Sequence, residues 1–286
     1  MKELATLSEI YLYPVKSLSG IKLEKALTTK YGLAHPENSL VVDRKWMIVD
    51  SNGSFRTQRQ IPKMALIKPS VEGDFLVFNA PQQNTLKIPI KNPNKNTINC
   101  RLWKCRIDGC AYGGEVSSWL SSFLEVDGLD LIIFDEKSTP VKCQDLEEST
   151  ETRENDVVIY QDFSPFMLIG ENSLDELNKR LENKVTMKRF RPNFISKNNS
   201  AFSEDDWEKF KIGESEFCRI KHCTRCLLTT VDQNKGERDK NQEPLKTLRE
   251  FRLNKEVYGT SPMFGINMGI DNPGKMIKVG DKITPE

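Results

Sequence analysis

The chain has 286 residues, enough to bury a sizeable core as one large domain or two modest ones. Its 42 Lys and Arg residues nearly balance 41 Asp and Glu residues, which leaves no general charge to draw nucleic acid or an anionic membrane. No apolar run approaches the roughly 20 residues of a membrane span, and the N-terminus lacks the basic-then-apolar pattern of a secretory signal. Seven cysteines without an export signal are expected to be free thiols in a reducing compartment, with the cytoplasm as the default location.

In chain order, the opening region predicts β structure. Glu9–Tyr13 is rich in strand formers and is ended or edged by Pro14, after which Lys16 and Ser17 occupy a tight turn. Val41–Val49 predicts a second strand, closed by the hairpin signal Asn52-Gly53. Glu72-Gly73-Asp74 signals another hairpin, and Leu86, Ile88 and Ile90 alternate as in a half-buried strand. Short strands at these intervals predict a barrel or sandwich. A short helix is expected over Glu115–Leu124, then a strand over Leu131–Phe134. Gln144–Asp156 holds six acidic residues and one arginine with little to bury, which predicts a solvated loop or linker. A domain boundary is placed there.

The second half opens with the strand formers Val157–Tyr160. A helix follows, with Ser173 and Glu176 spaced as a capping box and Leu174, Leu177, Leu181 and Val185 on one face. Asp232–Glu243 predicts a long loop, Leu245–Phe251 one or two helical turns, and Met276–Asp281 a strand and turn.

Between these elements lies Cys218–Asp232, with three cysteines, one of two histidines, and Arg225 between two thiols. The run Leu227–Val231 is apolar and β-branched, which predicts a buried strand. Four readings of Cys223-Thr224-Arg225-Cys226 stay open on the residues alone. Structural zinc could draw on Cys218, His222, Cys223 and Cys226, but no second pair recurs at ligand spacing. A redox dithiol would want a helix after the pair, where strand formers stand. Buried cysteines also serve simply as small apolar residues. The fourth reading is one thiolate on a soft or high-valent metal such as molybdenum, with Arg225 neutralising an anionic cofactor.

Several short pieces in fixed order carry a resemblance. They are Tyr13–Ser17, Asp43–Trp46, Ser164-Pro165-Phe166, Arg191-Pro192-Asn193, Cys223–Cys226 with Thr229–Asp232, and Phe264-Gly265 before Val279-Gly280-Asp281. Together they resemble the amidoxime-reducing component family, which joins a MOSC-associated β-barrel domain to a MOSC domain. The resemblance implies a mainly β, β-rich α+β fold. It places an N-terminal β-barrel-like domain at 1–135, an acidic linker or loop at 136–156, and a C-terminal MOSC barrel with a few helices at 157–286.

The resemblance further implies a molybdenum–molybdopterin cofactor whose metal takes the thiolate of Cys226. Cofactor contacts would fall on Lys16, Ser17, Arg44, Ser164, Arg191, Asn193, Thr224, Arg225 and Cys226, while Cys223 would be scaffold. Lys and Arg suit a cofactor phosphate, and Asn, Ser and Thr can read the amide-like edges of a pterin. The implied activity is reduction of small N-hydroxylated compounds such as amidoximes and hydroxylamines. Asp232 is a candidate for orienting a neighbour or shuttling a proton, or for capping a loop. Animal relatives carry a membrane anchor and some bacterial ones an iron–sulfur domain. Neither is visible here, so a separate haem or flavin protein is expected to donate electrons. The alternatives are a sulfur-carrying sulfurase-type module and a cofactor carrier without turnover.

Overall fold

The computed structural model describes residues 3–92, 94, 96–146 and 152–286. Strand dominates, in keeping with the many short runs of β-branched and aromatic residues. A closed barrel runs in the order Phe194–Lys197, Phe166–Gly170, Met263–Ile270, Ser215–Thr224, Lys209–Ile212, Lys282–Pro285 and Ala5–Leu12, with Ile21–Leu23 appended. The ring closes where Ala5–Leu12 pairs antiparallel with Phe194–Lys197. Strand Ala5–Leu12 lies some 150 residues before the next barrel strand in the chain, and it seals the seam.

A second, four-stranded sheet runs Trp46–Val49, Asp130–Phe134, Cys105–Ala111 and Thr97–Leu102. A meander of Lys68–Glu72, Phe75–Asn79 and Leu86–Pro89 adjoins it. Helix Gly114–Leu124 buries Trp119, Leu120 and Phe123, the face its 3.6-residue spacing foretells. One apolar core joins both halves, running from Leu7 and Trp46 to Trp119 and Phe217. Inside the barrel, Phe166 stacks on Phe194 at 5.8 Å between ring centroids and meets Phe217 edge-on at 5.3 Å.

Several expectations are corrected. The run Leu227–Val231 is not a buried strand: Leu227–Thr230 forms one 3-10 turn. The hydroxyl of Thr229 donates to the Cys226 carbonyl at 2.9 Å, and that of Thr230 to the Leu227 carbonyl at 2.7 Å. Such local bonds satisfy the backbone without a sheet partner, which overrides strand propensity. Only Trp46–Val49 of the expected strand Val41–Val49 is extended, because Arg44 turns the chain at φ 51°.

Ser173 is no helix cap. The helix starts at Glu171, and the Ser173 hydroxyl donates to the buried Glu204 at 2.6 Å. The helix ends at Asn178, so Leu181 and Val185 lie beyond it, although they join Leu177 in one cluster. The acidic stretch is not wholly solvated. Cys143–Leu146 is a short helix that buries both its ends, and Asp156 is buried; residues 147–151 lie outside the described ones. Within the loop Asp232–Glu243, residues Glu237–Arg238 pair back on Val231–Asp232.

Gly265 shows how tightly the barrel is drawn together. It sits at φ +81°, and an added Cβ would lie 2.5 Å from the Leu168 carbonyl oxygen. Gly265→Ala is therefore expected to cost about 3 kcal/mol, read as a melting temperature roughly 6–12 °C lower. An unchanged melting temperature would contradict this packing.

Candidate functional site

The segment that follows strand Ala5–Leu12 builds one wall of the site. The Lys16 backbone N–H donates to the Trp46 carbonyl at 2.8 Å, and the Arg44 N–H to the Tyr13 carbonyl at 2.6 Å. This stitching fixes two side chains far apart in sequence. Ser17, Arg44 and Arg191 all take left-handed φ, at 65°, 51° and 57°. L-residues pay for that conformation, and such strain gathers where side chains must be aimed.

The opposite wall is the barrel. Ser164 precedes strand Phe166–Gly170, Arg191 and Asn193 precede Phe194–Lys197, and Thr224–Cys226 continue strand Ser215–Thr224. Lys16, Ser17, Arg44, Ser164, Arg191, Asn193, Thr224, Arg225 and Cys226 all line one cavity of about 660 Å³. Among the described residues, nine Lys and Arg side chains face it, against a single carboxylate, Asp162.

The cations are held in three ways. Buried Lys16 donates to the Tyr160 carbonyl at 2.8 Å and to Asp162 at 2.5 Å, and desolvation pulls its pKa below the ordinary lysine value. Arg44 and Arg191 each place their guanidinium carbon 4.4 Å from the Tyr13 ring, a paired cation–π contact. Arg44 also ion-pairs with the fully buried Asp43. Asp43 in turn accepts from the Tyr13 N–H at 2.8 Å and from Asn193 at 3.0 Å. Arg225 spends its donors on the carbonyls of Phe190, at 3.1 Å, and Phe264. Ser164 contacts the Phe166 carbonyl at 2.8 Å and Asn267 at 3.0 Å.

Among the described residues, one cavity arginine keeps a buried donor without a partner. Arg191 gives one nitrogen to the Leu18 carbonyl at 2.5 Å, but its other terminal nitrogen is buried and unbonded. Burial, then repulsion from Arg44, lowers the Arg191 pKa to about 10. A buried unbonded donor on a cation is costly unless an anion arrives to meet it.

The two thiols differ. Cys226 is exposed, with Arg59 reaching to 4.0 Å from its sulfur. Burial pushes the Cys223 thiol up, which keeps it protonated and inert. Limited iodoacetamide at neutral pH is accordingly expected to label Cys226 well ahead of Cys223, as peptide mass mapping would show; equal labelling would contradict this contrast. Among the described residues no three His, Cys, Asp or Glu side chains gather to hold a metal. The four-ligand arrangement of Cys218, His222, Cys223 and Cys226 therefore does not form.

Asp232 does not line the cavity. It accepts from the N–H groups of Asn234 at 2.9 Å and Lys235 at 3.1 Å, and holds Arg189 at 3.1 Å. That is loop capping together with the anchoring of a cavity arginine. Sequence reasoning missed Arg59, Trp103, Asp162, Lys221 and Asn267 as lining residues. Arg59, Trp103 and Asn267 lie in no motif and tertiary folding alone brings them in, whereas Lys221 falls within Cys218–Asp232 and Asp162 stands two residues before Ser164. Arg189 had a signal, since it stands two residues from Arg191.

Comparison with known proteins places this architecture. The MOSC N-terminal beta barrel domain matches residues 4–127, and the MOSC domain matches residues 155–284. The chain is 37% identical to mitochondrial amidoxime reducing component 2 of Rattus norvegicus, over 99% of this chain and 84% of the relative. It is 35% identical to mitochondrial amidoxime-reducing component 1 of Homo sapiens, over 99% of this chain and 83% of that one. The chain belongs to the amidoxime-reducing component family. In this family member, as described, no helix is long and apolar enough to cross a membrane, and the relatives are named mitochondrial.

Proposed function

We propose that this amidoxime-reducing component family member is a reductase of small N-hydroxylated compounds, with a molybdenum–molybdopterin cofactor held by the single thiolate of Cys226. The reading is supported first by the cavity. It is strongly cationic, contains one buried arginine nitrogen without a partner, and opens beside an accessible thiol. The donor set suits a phosphorylated pterin. Lys16, Arg44 and Arg191 would meet the phosphate through charge-assisted bonds, and Ser17, Ser164, Asn193 and Thr224 would meet the ring edges. Arg225 would hold the Thr224–Cys226 segment in place through its bonds to Phe190 and Phe264.

When bound, the cofactor would supply the two-electron chemistry that removes oxygen from nitrogen. The chain's own residues would bind it, orient it, and leave the Cys226 side open to substrate. A separate electron-donor protein, of haem or flavin type, completes the proposal. The names of the relatives favour a reductase over a sulfur carrier or a cofactor carrier without turnover. Protein made in a host that synthesises the cofactor should contain near-stoichiometric molybdenum and reduce benzamidoxime with a supplied donor. Zinc in its place would sink the cofactor assignment, and bound molybdenum without turnover by any donor would favour the carrier.

Lys16 offers a sharper test of cofactor binding. Its burial is only partly offset by Asp162, so Lys16→Met is expected to change stability by no more than about 1 kcal/mol. Molybdenum retention should fall by about tenfold or more, as expected when a charge-assisted phosphate contact is lost. Full retention would remove Lys16 from the phosphate site.

A further inference from the structure

Two sets stand out among the cavity cations. Lys16 and Arg191 are buried and Arg44 is half-buried, and all three are fastened, to Tyr13, Asp43, Tyr160 or Asp162. A second group, Arg59, Arg101 and Lys104, lines the same cavity as Cys226, and among the described residues its members have no carboxylate partner. Arg59 reaches the Cys226 sulfur at 4.0 Å and stacks its guanidinium carbon 4.6 Å from the Trp103 ring. Arg238 donates to the Arg59 carbonyl, which ties this residue to the ladder after Val231. Trp103 and Lys104 form the two-residue turn between strands Thr97–Leu102 and Cys105–Ala111. Exposed Arg101 donates back to the Trp103 carbonyl at 3.2 Å, and exposed Lys104 flanks the ring.

Trp103 is an odd choice for that turn. It sits at φ 53°, where Gly, Asn or Asp is the usual solution. A bulky aromatic there costs about 1–2 kcal/mol. It packs edge-on against Phe55 at 5.0 Å, and its indole N–H is buried with no hydrogen-bond partner among the described residues. The chain thus keeps a strained flat ring, with Arg59 stacked on it, in the wall of the cavity that also holds the thiol.

The cofactor phosphate does not account for this group. The inner cations would already provide a phosphate site, and Arg59 lies beside the thiol proposed to hold the metal instead. A substrate would bring its N–O group to that metal, so the rest of the molecule extends past Arg59 towards the hairpin tip. We propose that the Arg59–Arg101–Trp103–Lys104 rim selects planar N-hydroxylated substrates that carry an anionic group, a carboxylate or a phosphate, away from the reacting nitrogen. The ring of such a substrate lies against Trp103 and Arg59, and its anion meets Arg101 and Lys104. This deepens the reductase reading and rests on it.

The test compares benzamidoxime with its 4-carboxylate analogue on the molybdenum-loaded protein, with a chemically reduced viologen dye as electron source. Taking the ratio of kcat/KM for the two compounds cancels any effect of the dye or of cofactor loading. The carboxylate is expected to be favoured about tenfold at low salt, and the ratio to approach one near 1 M salt, where the Debye length is about 3 Å. Arg101→Gln with Lys104→Gln should bring the low-salt ratio down towards one without shifting the melting temperature. Equilibrium binding of the two compounds by titration calorimetry should show the same preference without turnover. Equal kcat/KM and equal affinity at low salt, or a ratio untouched by the double variant, would overturn the inference. Failure to reduce either compound while the calorimetric preference persists would instead overturn the reductase reading and leave the rim standing.

Discussion

Cys226→Ala protein from a cofactor-synthesising host is expected to emerge folded and nearly free of molybdenum, while Cys223→Ala keeps most of its metal. The asymmetry follows from exposure: both thiols line the cavity, but Cys226 is exposed, whereas Cys223 is half-buried and its pKa is pushed up by desolvation. Cys223→Ala removes a small apolar group and is expected to cost about 1 kcal/mol of stability, no more. In Cys226→Ala the loss of N-reductive activity should exceed about 100-fold, the upper end of what losing an outer-shell metal partner costs. Metal analysis by plasma mass spectrometry and an amidoxime assay decide the matter. Equal loss of metal in both variants would return the pair to a two-thiol site.

The second large effect is expected at Asp43, which never touches the cavity. Its carboxylate lies beneath the site and binds the Tyr13 N–H, Asn193 and Arg44 together. Asp43→Ala leaves Arg44 and Arg191 together at the Tyr13 ring with Asp162 as the one remaining cavity carboxylate among the described residues. Breaking a buried pair in this way costs about 3–5 kcal/mol, which is roughly 10 °C in melting temperature for a chain of this size. Thermal unfolding of the cofactor-free protein measures it. A loss below about 1 kcal/mol would mean that the two arginines are placed by their backbone conformation alone.

Local patterning made part of this molecule readable in advance. The hairpin Lys68–Asn79, the alternation Leu86–Pro89, and the helix Gly114–Leu124 each follow from spacing and turn chemistry within a few residues. The readings that failed concern residues whose polar atoms outvote their propensity. Thr229 and Thr230 close a turn with their hydroxyls, and Ser173 serves a glutamate thirty-one residues away. The site divides in the same way. The nine residues drawn from short motifs do line one cavity, which family resemblance could anticipate. The left-handed turns at Ser17, Arg44 and Arg191 had no signal, since nothing in these residue types asks for positive φ. Arg59 and the Trp103 turn reach the thiol only through tertiary packing, beyond any local rule.

The seam that Ala5–Leu12 closes has a bearing on how the protein is made. Its neighbours within the barrel are Phe194–Lys197 and Lys282–Pro285, so synthesis must pass Pro285 before the barrel can shut. Until then the first strand can pair only with Ile21–Leu23 and Phe194–Lys197, and the half-built sheet offers open edges to other chains. Pairings this distant in sequence are slow to form. The MOSC-matched span 155–284 expressed alone would keep that gap permanently, with open edges at Phe194–Lys197 and at what remains of Lys282–Pro285. A nascent chain in the cell faces the same gap until Lys282–Pro285 has been made, so Ala5–Leu12 has to wait for that partner.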